Sequence, residues 1–424
     1  MMTTSSRLLA LPIPGESFLL LRHNKNILVD GGYSAHTLSA ALQSKAVNVD
    51  QLDIVVCTHA DRDHAGGLVD LLDKSSIKVK EFWLPGAWID GMPVLLKNPK
   101  SVVDALDREL ERQIADAALS DDDSYESFEE QQFYRIAQMK AEKRDAARDW
   151  LRVAGHDDEA GYPDMQWLQQ LVESEDQDVA VDINTNVFRN KCRVFRRKAD
   201  RLQWHSHWVR LGIETIKTAE RIRAIALQAL RHGVPVRWFD FQTFAKTRYA
   251  SGGVAGVLEP INAVEVMPTQ EMPPVAAWFA YLTPVNEESL VFKSPGDEDG
   301  GYMHCDILFT ADSPLGDGVG YQRSFLEPAK GSCRFAIVTA PHHGSESNAM
   351  AYKYVENVYH VLLWLRAGGD KRHPGETFRK LPPENRACTH CPKAGNTRQF
   401  AEVMIGQSLW PLLRVNSRFC GCGW

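Results

Sequence analysis

The sequence predicts an α/β fold in which two β-rich halves are separated by a largely helical insertion. Short apolar runs bounded by turn residues, which are typical of strands, fill residues 1–98 and return after residue 258. Between these regions, apolar residues recur every three or four positions, the spacing of a buried helix face. The chain has 424 residues, of which 44% are hydrophobic, enough for two or three domains or for one large domain with an insertion.

The individual elements follow in order along the chain. Residues 18–22 and 27–29 flank a polar turn and predict a β-hairpin, and residues 52–57 predict a buried strand. Helical apolar spacing predicts helices over residues 102–114 and 211–230. Later strands are expected at residues 263–266, 289–292, 305–310, 335–339 and 358–365. The predicted divisions are a first half at 1–98, a helical insertion at 99–257, a second half at 258–380 and a cysteine-containing tail at 381–424.

Composition and charge exclude several classes of protein. The formal net charge of −7 argues against a general affinity of the whole chain for polyanions. No stretch approaches 18 uninterrupted apolar residues, and residues 1–10 lack the basic start and long apolar run of a signal peptide. We therefore expect a soluble cytoplasmic protein without a membrane segment. In that compartment the eight cysteines are expected to be free thiols or metal ligands.

Charge is strongly segregated within the predicted insertion. Residues 101–182 contain 23 acidic and 8 basic residues, whereas residues 188–237 contain 13 basic and 3 acidic ones. The basic part interleaves cations with aromatic rings, as a groove for single-stranded nucleic acid does. The candidate groove residues are Arg196, Arg197, Lys198 and Trp204. The alternative is an amphipathic helix whose rings pack inward and whose charges face water or the acidic segment, and the adjacent acidic segment favours this alternative.

The strongest chemical signal lies in residues 58–67, Thr-His-Ala-Asp-Arg-Asp-His-Ala-Gly-Gly. An apolar strand leads directly into two imidazoles and two carboxylates, those of His59, Asp61, Asp63 and His64. Nitrogen and oxygen donors this close in sequence can converge on one or two divalent ions. The two glycines let the backbone bend close to such ions. The alternative is a polar loop that caps a helix, with Asp63 as the N-cap residue.

This segment resembles the His-x-His-x-Asp-His signature of the metallo-β-lactamase superfamily, with Asp61 in place of the second histidine. That variant is most similar to the soluble hydrolase domain of the ComEC-type competence proteins. Further segments resemble the same family in the same order, at residues 15–17, 28–32, 286–292, 308–312, 341–345 and 372–374. The resemblance covers residues 1–98 and 258–380. It implies a four-layer αββα sandwich with metals at the edge between the two sheets.

The resemblance also implies roles for single residues. The implied metal ligands are His59, Asp61, Asp63, His64, Asp312 and His373. Asp30 would act behind them by orienting a ligating histidine. Taken alone, Asp30 also fits a hairpin turn, Asp312 a helix N-cap and His373 a surface position.

Three residues receive implied catalytic roles, and one of them is also an implied metal ligand. Asp63 would orient or deprotonate the attacking water. His342 or His343 would protonate the leaving oxygen, and we lean towards His342. The other histidine of the pair would then only pack.

Two departures from the family pattern concern the metals. The superfamily usually has another histidine ligand between the first cluster and the bridging aspartate. Histidines in that interval, none of them in a recognisable family context, are His156, His205, His207, His232 and His304. Asp61 also replaces an imidazole, and Ala311 replaces a glycine. Because carboxylates favour harder ions, we expect one or two divalent ions, either Zn²⁺ or Mn²⁺.

The tail contains a Cys-x-x-Cys pair, Cys388 and Cys391, and a Cys-x-Cys pair, Cys420 and Cys422. Four thiolates can close a tetrahedral zinc site that would pin the tail. The spacing between the two pairs is irregular, so unligated thiols are the alternative.

The sequence therefore predicts a metal-dependent hydrolase, specifically a phosphodiesterase or nuclease that uses a metal-activated water. Its substrate would be a nucleic acid or another phosphodiester. A second hypothesis is a hydrolase of a small ester, lactone, thioester or cyclic nucleotide, with the insertion as a lid. A third is a non-catalytic binding module with a degenerate metal site. The sequence does not predict the oligomeric state.

Overall fold

A computed structural model of the chain describes residues 6–89, 91–118, 177–202, 206–267, 286–296, 305–326, 334–369, 372–391, 398–405, 414–415 and 420–422. The chain divides into two compact units. The first comprises residues 1–86, 232–266 and 286–424, and the second comprises residues 87–231 and 267–285. Among the described helices, none combines the length and apolarity that a bilayer crossing requires.

All strands of the described residues lie in the first unit. They are β1 (Ser6–Ala10), β2 (Phe18–Arg22), β3 (Lys25–Val29), β4 (Gln51–Leu52), β5 (Ile54–Val56), β6 (Lys78–Val79), β7 (Phe82–Pro85), β8 (Val236–Asp240), β9 (Glu259–Pro260), β10 (Val264–Val266), β11 (Phe292–Ser294), β12 (Cys305–Phe309), β13 (Gly316–Asp317), β14 (Arg323–Ser324), β15 (Phe335–Thr339), β16 (His360–Arg366), β17 (Arg386–Cys388), β18 (Ala401–Ile405) and β19 (Arg414–Val415).

Most of these strands belong to two sheets. One has the order β10-β8-β7-β5-β3-β2-β1-β18-β19, and the other has the order β17-β16-β15-β12-β11-β9. Both sheets are mixed: β3, β5, β7 and β8 run parallel, as do β12, β15, β16 and β17. The carboxyl ends of parallel neighbours meet at one edge of a sheet, which is where their following loops can converge.

One hydrophobic core contains residues from both sheets. In β2, Phe18 and Leu20 alternate towards this core, as the two-residue period of a strand requires. Trp83 of β7 and Phe292 of β11 meet there, with ring centroids 5.5 Å apart. The two apolar faces thus bury each other.

The helices of the described residues are α1 (Ala35–Leu42), α2 (Arg62–Ala65), α3 (Leu71–Lys74), α4 (Met92–Lys97), α5 (Pro99–Ala118), α6 (Gln177–Leu202), α7 (Ser206–Arg231), α8 (Phe241–Thr247), α9 (Ala349–Glu356) and α10 (Glu376–Lys380). A second core joins α9 to strands β15 and β16. In it, Tyr352 of α9 lies against Trp364 of β16, with ring centroids 4.5 Å apart.

The second unit is built around the long helices α5, α6 and α7. Their apolar faces bury residues such as Phe188, Phe195 and Ile222. Lys191 of α6 pairs with Asp104 at 2.9 Å and with Asp107 at 2.6 Å, both on α5. The basic helix therefore packs against an acidic one through its rings and part of its charge.

The limits of these units differ from the predicted divisions. The second unit begins at residue 87 rather than 99. Residues 232–257, predicted as part of the insertion, belong to the first unit. The physical reason is β8, which pairs in parallel with β7 and brings the chain back into the sheet.

Two predicted strands also differ in extent. Residues 52–57 are divided between β4 and β5, which lie in different sheets. The strand predicted at 289–292 starts only at Phe292, because residues 286–288 form a 3₁₀ turn. The intervening backbone contacts the loop that follows β5, since Leu290 N donates to Thr58 O at 3.0 Å.

Candidate metal centre

The loop after β5 carries the first group of site residues. Val56 ends β5, and α2 begins at Arg62 with Asp61 in the N-cap position. The alternative in which Asp63 caps this helix is therefore wrong, because Asp63 lies within its first turn. His59 and His64 stand on either side of the helix start, with ring centroids 4.1 Å apart. Both imidazoles are buried.

Asp30, the residue after β3, fixes the position of this loop through hydrogen bonds to Thr58 and His64. Its backbone is left-handed, with φ +61°, and its side chain is fully buried. One carboxylate oxygen accepts from Thr58 N at 2.8 Å, and the other accepts from Thr58 Oγ1 at 2.7 Å. The second oxygen also lies 2.7 Å from His64 Nδ1. Asp30 thereby fixes the ring of His64 so that its Nε2 points away from β3.

Asp312 follows β12 and lies among four imidazoles. Its Oδ1 is 3.2 Å from His64 Nε2 and 3.8 Å from His343 Nε2. Its Oδ2 is 3.6 Å from His59 Nε2 and 3.5 Å from His342 Nε2. The carboxylate is 3% exposed, so these imidazoles, rather than water, surround it.

The turn Pro341–Gly344 supplies the two adjacent histidines. Both have left-handed backbones, with φ +48° at His342 and +54° at His343, and this directs the two rings differently. The His342 side chain is 25% exposed, and its Nδ1 lies 3.3 Å from Asn348 Oδ1. The His343 side chain is 3% exposed. The structure thus separates the two histidines by accessibility.

His343 is enclosed by carboxylates. Its Nε2 lies 3.1 Å from Asp63 Oδ2, and its Nδ1 lies 3.0 Å from Glu16 Oε2. Burial by itself lowers the pKa of His343, but the neighbouring carboxylates, first of all Asp312, outweigh it and raise the pKa to about 10.

Glu16 is a site residue that the sequence did not single out. It lies in the turn before β2 and is 2% exposed, and burial raises the pKa of its carboxyl group. Its only sequence signal was membership of the segment 15–17, which resembles the family's opening hairpin. The turn packs directly on the loop between β5 and α2 and on the first turn of α2, because Glu16 N donates to Asp63 O at 2.7 Å.

The remaining groups show a strongly coupled charge pattern. Burial and then the charge of His64 lower the pKa of His59 to about 4, which keeps its imidazole neutral near pH 7. At His64 burial also lowers the pKa, but Asp312 and Asp30 hold it well above its usual value. Burial would raise the pKa of Asp312, yet the surrounding imidazoles hold it well below the usual range. Burial would raise the pKa of Asp63 as well, but the hydrogen bond from His343 and the charges of His64 and His343 together lower it.

Two predicted ligands lie at the margin of this cluster. Asp61 Oδ2 is 4.0 Å from His59 Nε2, and the Asp61 side chain is 34% exposed. The ring centroid of His373 lies 5.7 Å from that of His342 and 5.9 Å from that of His343. Both residues are therefore close to the centre but outside its tightest contacts.

The histidines between the first cluster and Asp312 were the remaining candidates for a metal ligand. His232 Nε2 lies 2.8 Å from Asp73 Oδ1, in an exposed ion pair. His207 lies on α7 in the second unit. His156, His205 and His304 lie outside the described residues.

The donor set fits a divalent metal. His59, His64 and Asp312 each offer a ligand atom within 4.8 Å of the others, and so do Glu16, His64 and His343. His59 Nε2, His64 Nε2 and Asp312 Oδ1 are buried and have no hydrogen-bond partner. Because buried polar atoms are normally satisfied, three buried ligand atoms that face one another without a hydrogen-bond partner fit the coordination of a divalent cation.

The structure also places the other predicted groups. Cys388, Cys391, Cys420 and Cys422 come together in one group of potential ligands. On α6, Arg196 and Arg197 are exposed, while Lys198 pairs with Glu111 of α5. Trp204 lies outside the described residues.

Comparison with known proteins agrees with the site. A family model described as the metallo-beta-lactamase superfamily matches residues 11–91, which contain Glu16, Asp30 and the whole loop from His59 to His64. No curated protein matches the chain. The superfamily consists mostly of hydrolases and typically binds divalent metals. The matched segment and the donor set together indicate a metal-dependent hydrolase with a mixed α/β fold.

Proposed function

We propose that this protein is a metal-dependent phosphodiesterase, specifically a nuclease related to the hydrolase domain of ComEC-type proteins. The observation that carries the proposal is the position of Asp312. Its two carboxylate oxygens face different pairs of imidazoles within 3.8 Å, while buried nitrogens of His59 and His64 lack partners. A carboxylate among imidazoles would suit the binding of divalent ions, and such ions would supply an activated water for phosphodiester cleavage.

The proposed architecture is the four-layer αββα sandwich. Its support is the core shared by the two sheets, the packing of α9 on the second sheet and the buried inner face of α1. The site residues follow strand ends of both sheets: Asp30 follows β3, His59 follows β5, and Asp312 follows β12.

Zn²⁺ or Mn²⁺ would be held by His59, His64 and Asp312, with Asp61, Asp63 and His373 completing the set. When bound, such an ion lowers the pKa of a coordinated water and stabilises negative charge on the scissile group. The carboxylate of Asp63 is ionised and 26% exposed, and one of its oxygens contacts His343 Nε2. It can therefore orient an attacking water from the solvent side and accept its proton.

The two histidines of the turn Pro341–Gly344 would have different roles, one in proton transfer and one in positioning Asp63. His342 is the accessible one, and Asn348 fixes its ring, so it is placed to give a proton to the leaving oxygen. Buried between Glu16 and Asp63, His343 holds Asp63 in place.

An exposed arginine beside the candidate metal centre favours an anionic substrate. Arg62 lies between Asp61 and Asp63 in the loop and is exposed. Its guanidinium carbon is 5.6 Å from the centroid of the Tyr33 ring, which supports the side chain without neutralising it. A phosphodiester oxygen would find this charge beside the proposed cleavage site.

The test is cleavage of end-labelled single-stranded DNA and RNA with Mn²⁺ or Zn²⁺. We expect cleavage by the wild type and loss of at least about 10³-fold in the Asp63→Ala, His64→Ala double variant, because both a ligand and the base are removed. The Asp312→Asn variant should be inactive as well. His36→Ala removes an exposed histidine of α1 and is the matched control, with unchanged cleavage.

A small-molecule hydrolase is the second candidate, and one observation favours it. In the basic segment, Phe195 is buried and Lys198 is paired, so neither is presented to a polynucleotide. Metal-loaded, folded protein that cleaves esters, lactones, thioesters or cyclic nucleotides but not DNA or RNA would favour this candidate. Protein that neither binds metal at His59 and His64 nor turns over any of these would favour a non-catalytic module.

A further inference from the structure

The four cysteines of the C-terminal region form one compact group, here called the tail cysteine cluster: Cys388, Cys391, Cys420 and Cys422. Its Sγ–Sγ distances are 3.6 Å for Cys388–Cys422, 3.4 Å for Cys391–Cys422 and 3.5 Å for Cys388–Cys420. A disulfide requires about 2.05 Å. A tetrahedral zinc site with Zn–S bonds of about 2.3 Å has edges of about 3.8 Å. The observed separations are those of ligands around one ion.

The ligands come from two parts of the chain that the cluster joins. Cys388 ends β17, the edge strand of the second sheet, and Cys420 lies in the last described segment. Cys420 N donates to Arg386 O at 3.3 Å, so the two parts are also in backbone contact. Cys388, Cys391 and Cys420 are buried, which excludes water from most of the cluster.

A buried arginine supplies counter-charge. Arg366 is 2% exposed, and its Nη1 lies 3.8 Å from Cys422 Sγ. A buried cation beside these sulfur atoms requires an anion. A Zn²⁺ ion with four thiolates carries a net charge of −2 and meets that requirement.

Arg366 also links the cluster to the turn that carries His343. Its Nε donates to His343 O at 2.7 Å, and its Nη2 donates to Gly368 O at 3.2 Å. In the sheet Arg366 is the register partner of Cys388. One side chain therefore contacts both the cluster and the backbone of the candidate metal centre.

We propose that the tail cysteine cluster binds one structural Zn²⁺ ion, and that this ion, through Arg366, fixes the turn that carries His343. The ion takes no part in hydrolysis, and its binding does not depend on the proposed activity. Thiolate ligation makes the site selective for zinc over the harder Mn²⁺.

The first measurement is the metal content of the full-length protein purified under reducing conditions. In the His59→Ala, His64→Ala double variant, which lacks the candidate metal centre, we expect one zinc per chain to remain. Replacement by Co²⁺ should give the near-ultraviolet sulfur-to-cobalt band and the intense visible bands of a tetrahedral thiolate site. Adding Cys391→Ser and Cys422→Ser should abolish both signals, whereas Cys192→Ser, on α6, should leave them unchanged.

The second measurement uses the wild-type protein, so it does not depend on the folding of a variant. A thiol-specific mercurial should release one equivalent of zinc from the wild type, read with a chromogenic chelator. Hydrogen exchange should then increase at residues 340–345 and 366–369, while β2 and β3 keep their protection. The metal site would be overturned if zinc is retained after both cysteine substitutions. It would also be overturned if the four cysteines form disulfides in protein purified under reducing conditions. Unchanged exchange at 340–345 would overturn the link through Arg366.

Discussion

At the scale of single residues, the site depends on how two adjacent histidines are placed. His343 is buried against Glu16 and Asp63, whereas His342 is one-quarter exposed beside Asn348. The same residue type in neighbouring positions therefore has two different surroundings. In one, the side chain compensates buried charge; in the other, it is open to solvent, as the proton transfer proposed for His342 requires.

Alanine substitutions should separate these roles. His343→Ala should lower the free energy of unfolding by about 3 kcal/mol, because it leaves the buried carboxylate of Glu16 and the partly buried carboxylate of Asp63 without their cation. His342→Ala should cost less than about 1 kcal/mol, since its ring is partly solvated, yet it should reduce turnover about 10²-fold or more. Urea unfolding in metal-free buffer, together with turnover in metal, measures both quantities. Equal losses of stability in the two variants would contradict this assignment.

Most donor residues of the site could be predicted, because they occur in short motifs. His59, His64, Asp312 and the two histidines of the turn Pro341–Gly344 all follow apolar strands in a family-like order. Glu16 could not be found in this way. A single acidic residue in a turn has no periodicity or partner spacing, and an exposed position is the ordinary expectation for it. Only the packing of that turn on the metal loop buries its carboxyl group.

At the scale of elements, the segment that carries the candidate metal ligands His59 to His64 packs against the turn after β3, with backbone against backbone. Gly67 N donates to Gly32 O at 2.7 Å, and a Cβ at Gly67 would lie 1.9 Å from Gly31 O. Gly31 N in turn donates to His64 O at 2.6 Å. The distance between the β3 turn and the metal loop is thus set by the absence of a side chain.

Gly67→Ala should therefore push these two loops apart and lower the free energy of unfolding by about 3 kcal/mol. Metal affinity should fall as well, because His64 moves with the loop. Gly233→Ala is the control: a Cβ there meets nothing within 4 Å, so only about 1 kcal/mol is expected, from the strain of its positive φ of +62°. Thermal unfolding and chelator competition are the measurements. Similar effects of both substitutions would argue against close packing as the cause.

The edge strand β10 is held to β8 by a partly buried ion pair. Arg237 Nε and Nη2 lie 2.7 Å and 2.6 Å from the two carboxylate oxygens of Glu265. Burial alone would raise the pKa of Glu265, but the hydrogen bonds from Arg237 and from Gly253 N, together with the charge of Arg237, lower it. The stabilisation is therefore present above the unfolded-state pKa of about 4.3 and is lost as the pH falls through the lower folded-state value.

Glu265→Gln should accordingly lower stability at pH 7 by about 1–3 kcal/mol. The difference from the wild type should shrink as the pH falls below 4, because the wild-type carboxylate then becomes protonated. Urea titrations at pH 7 and at acid pH test this, with the exposed Asp50→Asn as a control. A difference that stays constant with pH would mean that packing, not charge, holds the strand.

Element types were more predictable than element boundaries. Hydrophobic periodicity was sufficient for the hairpin β2–β3, for β15 and for the long helix α7. It was not sufficient for residues 52–57, where two short strands join different sheets, because periodicity does not indicate the partner of a strand. Nor did it place β8, whose position depends on pairing with β7 across an excursion of the chain.

At the scale of the whole molecule, the charge asymmetry of the insertion has a structural basis within the second unit. Lys191 and Lys198 are paired with acidic residues of α5, while Arg196 and Arg197 remain exposed. The part of the basic segment that is available to a polyanion is therefore smaller than the sequence suggested.

Charge reversal of these two arginines tests whether the segment binds nucleic acid. Arg196→Glu with Arg197→Glu should weaken binding of a single-stranded oligonucleotide and reduce the slope of log affinity against log salt by about 1 for each lost phosphate contact. Fluorescence anisotropy in chelator measures binding without cleavage. Arg108→Glu, on α5, is the matched control. An unchanged affinity and slope would leave the exposed arginines a solubilising role only.

The adjacency of β7 and β8 has a consequence for how such a protein can change over time. The two strands are paired in register, Pro85 opposite Phe239, although residues 87–231 lie between them. A crossover of about a dozen residues would be enough to connect them. Each residue of the candidate metal centre lies before this excursion or after it. Insertions, deletions and substitutions within residues 87–231 can therefore accumulate without changing any residue of that centre or the pairing of β7 with β8.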